Sequence, residues 1–317
     1  MTTLNDIVEE IRSDYLLTGD VEVRNRLGAV VDDTVTTLNL ARSNAGFTEG
    51  TRVEVGYEDV YVVAGTQASA DLTVERGQFG SVAQAHLDGE LMLASPKYSK
   101  ASIARALNRE LQALSGNNRL YQMKSLAITF NSSQAGYDFT DKDAATPTDP
   151  NDVYSIWEIR AKMPNPLHDW PLLEHYKLSR NMPAADFPST LGIFFDIGGY
   201  PGFDMVCRYR APFTPIDFTD PLFDPAVTDI STVTGLPIGA EDLLTLGVAI
   251  KLTAGKEVKR NFTASQGTTR RPDEVPPSAV LQSYTGLLKQ YDRRLEQEKA
   301  RLATLYPVRT KTTGIVG

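Results

Sequence analysis

The sequence predicts an α+β protein. Helices near both ends of the chain form a helical connector core, and the middle holds a small β-module and an inserted antiparallel β-sandwich, of which a jelly roll is one form. Three observations carry this. Apolar residues recur at helical spacing near the two ends. The period changes to two between residues 46 and 98. Between residues 119 and 235, short alternating runs are separated by long polar or proline-rich connections such as Asp141–Asn151.

The elements follow in order. Residues 1–45 read as N-terminal helices. The first has Leu4, Ile7, Val8, Ile11 and Leu16 on one face, with Thr3 or Asn5 available as a cap. The second, carried by Leu27, Val30, Val31, Val35 and Leu38, is less regular. Its β-branched Val35-Thr36-Thr37 cluster disfavours helix and is compatible with the start of a strand. Residues 46–98 form the β-module, a short meander or half-barrel, with alternating runs at Arg52–Val55, Val60–Val63, Leu72–Glu75 and Leu91–Leu93. Residues 99–118 form a helix capped by Ser99, with Ile103, Leu107, Leu111 and Leu114 along one side.

Residues 119–235 supply the sandwich. Its strand candidates are Leu126–Phe130, Tyr154–Ala161, His175–Leu178, Leu191–Ile197 and Phe203–Tyr209. Residues 236–306 return to helix and complete the helical domain. Ala240–Ala254 is apolar nearly all round and should be buried. From about 278 to 305, Leu281, Tyr284, Leu288, Tyr291, Leu295, Leu302 and Leu305 alternate spacings of three and four, with Glu298 in the one gap. That seam can close on its own domain or on a neighbouring chain. Residues 307–317 read as an extended tail after Pro307.

Composition narrows the function. The chain has 317 residues, 41% hydrophobic and 23% charged, as folded proteins do. Its one cysteine, Cys207, excludes an intrachain disulfide and a multi-cysteine metal site. The net charge of −8 argues against a free-standing reader of DNA grooves. From Lys256 to Lys311 there are 12 basic and 6 acidic residues, a net of +6, which leaves −14 for the remainder. An acidic body with a basic C-terminal arm suggests two surfaces with different partners, although a solvated arginine-rich helix fits the count equally well. The N-terminus lacks the apolar run of a signal peptide, and no apolar run approaches the length of a membrane span.

Sites of chemistry are sparse. Gly255-Lys256 lacks the rest of a phosphate-binding loop, and Gly198–Gly202 reads as a turn. His168 and His175 are seven apart and His86 is distant in sequence, which does not make a zinc helix. Cys207 reads as a small buried strand residue. Glu158, Asp196 and Asp204 on strands are candidates for glycoside hydrolysis, and Trp157, Trp170 and Tyr200 for sugar stacking; exposed strand acids and turn formers are the plainer reading. No catalytic residue, cofactor or metal is expected. The sharpest local pattern is Leu72–Gly89. It reads as a strand, an Arg76-Gly77 corner, a tight turn with Gly80, and a return to a strand through small residues and His86 to Gly89, with His86 bonding the turn backbone. That is a stiff loop tip without a nucleophile–base pair.

This pattern resembles a family. Val53–Val62, Val74-Glu75-Arg76-Gly77, Gly80-Ser81, His86 and Gly89 resemble a small β-module recurrent in tailed-phage virion proteins. Gly239–Gly247, and Tyr291–Leu302 ending at Tyr306-Pro307, are similar to phage head-to-tail connector (adaptor) proteins, as are Val23–Gly28 and Asp32–Thr34 near the start. The likeness covers about 150 residues, and the sandwich falls outside it.

The resemblance implies a structural virion protein and not an enzyme. It implies a homo-oligomeric ring, a dodecamer in this family, beneath the portal protein and beside neck or tail-completion proteins. Double-stranded DNA would pass through the lumen without sequence recognition, and no membrane partner is implied. The chain would assemble in the host cytoplasm and reside in the virion neck. Portal and inter-subunit contacts fall on Leu288, Tyr291, Arg294, Leu295, Arg301, Leu302, Arg309 and Lys311, and the tail-facing loop on Arg76, Gly77, Gly80, His86 and Gly89. An acidic body suits a lumen through which DNA slides without fixed phosphate contacts. The alternative is a tail or baseplate structural protein whose sandwich binds carbohydrate.

Overall fold

The computed structural model describes residues 2–16, 23–43, 46–65, 69–116, 120–131, 134, 136–142, 147–163, 169–195, 203–218, 224–264 and 277–307. The fold is mixed α+β, with helices at the N- and C-terminal ends and small antiparallel sheets between them. The chain divides into two compact units, one of residues 1–111 and 214–295, the other of residues 112–213 and 296–317.

In the first unit, α1 (Leu4–Glu10) starts at a capping box. Thr3 Oγ1 accepts from the Asp6 amide at 3.2 Å, and the Asp6 carboxylate accepts from the Thr3 amide at 2.9 Å. Leu4, Ile7, Val8 and Ile11 are buried, and one π-helical turn, Ile11–Tyr15, follows.

The second N-terminal helix is corrected. The chain forms β1 (Val23–Arg26) and β2 (Thr37–Asn39) instead. Asn25 and Leu27 face inward, as do Leu38 and Leu40. That spacing of two, with the β-branched cluster before Leu38, outweighs the irregular helical spacing through Val30 and Val31, of which Val30 is exposed.

These strands join β3 (Arg52–Val55), β4 (Glu58–Gly65), β5 (Asp71–Glu75) and β6 (Leu91–Ala94) in an antiparallel sheet of order β1-β6-β3-β4-β5-β2. Its two edge strands continue to one antiparallel bridge, Leu27 with Leu40. There the Gly28 amide donates to the Asn39 carbonyl and the Ala41 amide to the Arg26 carbonyl, both at 2.8 Å. Leu27, Leu38, Leu40, Phe47, Val53, Val55, Val60, Val62, Leu72, Val74 and Met92 form one core, each large side chain contributing about 1.5–3 kcal/mol by leaving water.

Helix α2 (Lys100–Ser115) is capped by Ser99, whose Oγ accepts from the Ser102 amide at 3.2 Å. Helix α4 (Glu241–Ala264) follows the short α3 (Ile230–Thr234), and its turns from Leu243 to Ile250 are buried, as its all-round apolar character requires. At Gly247 the backbone of α4 comes so close to Glu110 of α2 that a Cβ there would run into the Glu110 side chain. Residues 214–235, expected with the sandwich, belong to this first unit. Asn108 of α2 bonds both the amide and the carbonyl of Ile216, at 2.8 and 2.9 Å, and the Asn5 amide donates to the Pro225 carbonyl at 3.1 Å.

Helix α5 (Pro277–Leu305) carries the heptad-like seam. Tyr291, Leu295, Glu298 and Leu302 are buried in the single chain, and Tyr284 and Leu288 are half-buried. The seam is therefore used within the chain at those positions.

In the second unit, β7 (Gln122–Ile128), β12 (Met205–Ala211) and β9 (Ser155–Ala161) form one three-stranded antiparallel sheet, with β12 central. A second sheet has β11 (Leu191–Phe195) between β10 (Tyr176–Arg180) and β8 (Gly136–Asp138). Both sheets contribute to one core, including Leu126, Ile159, Cys207 and Tyr209 from the first and Tyr137, Leu191 and Ile193 from the second. The three-residue β8 was not expected. The described residues give this unit six strands, where a jelly roll has eight.

Candidate functional site

Sequence reasoning placed its sharpest motif at residues 72–89, and the structure gathers that motif around one carboxylate. Glu58 opens β4 on the same face as Val60 and Val62, so it points toward the core and is 0% exposed. Its Oε1 accepts from Arg76 Nε at 2.7 Å and from the Gly77 amide at 2.8 Å. Its Oε2 accepts from Arg76 Nη2 at 2.7 Å and from the Gln84 amide at 3.1 Å, and lies 2.8 Å from His86 Nε2. Burial alone would raise this carboxyl, but the bonds from Arg76, His86, Gly77 and Gln84 outweigh it and bring the pKa down to about 2.

Arg76 is satisfied completely. Besides Glu58, Nη1 donates to the carbonyls of Asp32 and Val35, both at 2.9 Å, and Nη2 to that of Gln84 at 2.6 Å. All five guanidinium N–H groups thus have acceptors. The arginine clips the 32–35 turn and the 77–86 loop to the sheet.

The predicted bond of His86 to the turn backbone is corrected. Its ring lies between two carboxylates, Glu58 and Glu90, the latter at 3.1 Å from Nδ1. Its backbone makes the only bridge of this return segment, pairing both ways with Val31 at 2.7 and 2.9 Å. Residues 81–85 remain a loop and do not return to a strand. Burial opposes charging of His86, but the bonds to Glu58 and Glu90 together hold its pKa above the ordinary value.

The other motif residues hold the same loop. Gly77 has φ +59°, and a Cβ there would press on the Ala83 amide. The Gly80 backbone lies against Arg105, which donates to the neighbouring Phe79 carbonyl. The Gly89 carbonyl accepts from Arg26 Nη1 at 2.7 Å. At the tip, Val30 and Leu87 flank the Val31–His86 bridge and are 69% and 73% exposed, with Val82 and Phe79 also exposed.

On the opposite face of the sheet two further carboxylates are buried. Glu54 takes a two-pronged bond from Arg12, both arms 3.1 Å, and accepts from the Lys100 amide at 3.0 Å. Its burial still leaves the carboxyl above its usual range. Asp59 Oδ2 accepts from Arg52 at 2.6 Å and from Ser99 at 2.9 Å. Sequence reasoning did not single out Glu58. A usable signal was an acid in phase with Val60 and Val62, on the apolar face of its strand.

The proposed contact residues on α5 fall in several environments. Tyr291 is buried, and its hydroxyl donates to Glu110 at 2.6 Å. Glu110 also pairs with Lys251 at 2.5 Å. Arg294 pairs with Asp242 at 2.5 Å and donates to the Gly239 carbonyl at 2.8 Å. Arg301 pairs with Glu298 at 2.7 Å. Leu295 and Leu302 are buried and Leu288 is half-buried. Arg309 and Lys311 lie outside the described residues.

The candidates in the second unit separate. Cys207 is buried in the core, which pushes its thiol far above the ordinary value, so it is no nucleophile. Asp204 is paired with Lys142. Asp196, Tyr200, His168 and Gly198–Gly202 lie outside the described residues. Trp157 makes an edge-to-face pair with Tyr306 at 5.5 Å and donates to the Pro307 carbonyl at 3.2 Å, so it is already engaged by its own chain. Glu158 is buried between Arg160 and Arg208, beside a cavity that Trp170 also lines. Among the described residues no group of histidine, cysteine and acidic side chains is placed to hold a metal ion, and no helix is long and apolar enough to cross a membrane.

No protein-family model matches the chain, and no curated protein matches it.

Proposed function

We propose that the chain is a structural virion protein: a head-to-tail adaptor that forms a ring beneath a portal and a channel for double-stranded DNA in the neck of a tailed phage. The observation that carries this reading is the Glu58 clip. Arg76, Gly77 and His86 are spent on fixing a loop around a buried acid, and the fixed loop presents Val30, Val82 and Leu87 to solvent. Charged groups committed in this way hold a shape, and exposed apolar side chains on a rigid tip suit contact with another protein. The sequence likeness to connector proteins at 53–89 and 239–307 points the same way.

In this reading the six-stranded sheet is a small closed barrel, its seam at Leu27 and Leu40, and the two three-stranded sheets of the second unit form a β-sandwich. The barrel turns its loop toward the tail. The basic stretch from about 278 to 317 meets the portal. A head-to-tail interface between copies closes into a ring when its rotation divides the circle, with a dodecamer as the expected number.

The test is co-sedimentation with the portal protein of the same virion. Deleting 307–317 should leave rings intact and weaken portal attachment; undiminished attachment would remove the tail from the portal contact. Reversing lumen acids to lysine should slow DNA ejection, and unchanged kinetics would contradict an acidic sliding surface.

A further inference from the structure

The second unit holds a site that the ring reading does not use. Glu158 and Arg160 of β9, and Arg208 of β12, alternate with the core residues Ile159, Cys207 and Tyr209 and so lie on the outer face of their sheet. Arg208 stands directly opposite Glu158 across the two strands. Glu158 is nonetheless buried, because each carboxylate oxygen is taken by a different arginine. Oε1 accepts from Arg208 Nη1 at 3.0 Å, and Oε2 from Arg160 Nε at 2.9 Å.

One buried acid therefore holds two guanidinium groups in fixed positions. Arg160 Nη1 reaches on to the Trp170 carbonyl at 3.1 Å and to Asp169 at 3.2 Å, which draws the 169–170 segment to the same place. Arg160, Arg208, Asp169 and Trp170 line an open surface pocket of about 410 Å³. That is within the range of small-ligand sites, about 300–1,000 Å³.

The chemistry of the lining names the ligand class. Arg208 is 52% exposed, and its Nε and Nη2 have no partner among the described residues; neither has Nη2 of Arg160. Planar forks with unused N–H groups suit carboxylate or phosphate oxygens. Asp169 is 96% exposed, so its bond to Arg160 is weak in water and yields to a stronger anion. An indole beside an anion site adds an apolar face of the kind a sugar ring covers. Beside Arg208 on this face the side chains are short, Ser125 directly opposite on β7 and Val206 and Ala127 at the next pair, while the longer Met123 and Arg210 stand at the pair on the other side.

We propose that this outer face binds a saccharide carrying an anionic group, its carboxylate or phosphate held by Arg160 and Arg208 and its ring laid against Trp170. Glu158 is a positioning residue that keeps both arginines in place. The proposal is independent of ring formation, which light scattering reads separately on the same sample.

The test is titration of the full chain, by calorimetry and by tryptophan fluorescence, with glucuronate, glucose 6-phosphate, glucose, acetate and inorganic phosphate, each to about 20 mM, a range that detects millimolar affinities. Saturable binding of glucuronate or of glucose 6-phosphate, about tenfold or more tighter than glucose, acetate or phosphate, is expected. Which of the two binds tighter assigns the anion as carboxylate or phosphate. Arg208→Lys keeps a charge beside Glu158 while removing the fork, and should weaken binding about tenfold. Trp170→Leu leaves all four ion-pair partners in place and should weaken the sugar by a similar factor without changing the response to phosphate alone. Absence of saturable binding by both anionic sugars overturns the proposal. So does binding that is equal in both variants, or binding of acetate or phosphate as tight as that of the sugars.

Discussion

Replacing Glu58 by glutamine removes one charge and almost no volume, so it isolates the electrostatic contribution of the clip. Glu58 accepts two N–H bonds at Oε1, and at Oε2 it accepts two more and meets His86. A glutamine can offer one acceptor oxygen. Whichever way its amide turns, the NH2 faces at least two donors. Arg76 then sits in a buried site without its counter-ion, which costs about 3–5 kcal/mol. The acid's own titration gives a similar figure. A carboxyl whose pKa falls from 4.5 to about 2 on folding contributes about 3 kcal/mol at neutral pH. Against a total stability of about 5–15 kcal/mol that is a large share. With a urea dependence of about 2 kcal/mol per molar, the midpoint should fall by roughly 1.5–2.5 M. Both tryptophans belong to the second unit, so the transition is best followed by hydrogen exchange of peptides spanning 58–89. A midpoint within about 0.2 M of the parent, with unchanged protection of the loop, would refute the reasoning.

Three other outcomes follow from the same geometry. The His86 pKa is raised, so its contribution is complete below about 6.5 and lost as pH rises through the folded value. The Glu58 contribution is complete above 4.5 and lost as pH falls toward 2, so the combined contribution of these two groups should be largest between about pH 4.5 and 6.5. Nuclear magnetic resonance of the His86 ring should give a midpoint above 6.5, and one below it would contradict the double carboxylate contact. Gly247→Ala places a methyl against the Glu110 side chain, itself held by Tyr291 and Lys251, and should cost about 1–3 kcal/mol. An unchanged melting temperature would show that α4 and α2 can separate there freely. Cys207 should resist iodoacetamide at pH 8 while folded and react on unfolding in urea; rapid labelling of the native protein would contradict its burial.

What could be read from the residues, and what could not, divides by the range of the interaction. Period and caps are local. The Thr3 and Ser99 starts, the buried helix at Leu243–Ile250 and most strands of the second unit are legible for that reason. Leu27, Val30 and Val31 mimic helical spacing where the chain forms β1 and β2. Their extended state is fixed by partners far along the chain, β6 for β1 and β5 for β2. The Arg76–His86 loop was legible as rigid, but the reason for its rigidity was not. Arg76 and Glu58 are 18 residues apart in sequence, and only the strand pairing of β4 with β5 brings them together. The paired arginines at Glu158 stayed hidden for the same reason. Arg208 is 50 residues away from its partner, and the acid alone suggested hydrolysis.

The proposed function requires that this chain build an assembly of many identical copies. Multi-angle light scattering of the purified 317-residue chain, with electron micrographs of the same fractions, tests it most directly. The account predicts ring-shaped particles with a central opening and a mass many times the 34.8 kDa of one chain. A species of 34.8 kDa at concentrations on the order of 100 μM, with no rings and no attachment to portal-bearing particles, would contradict it.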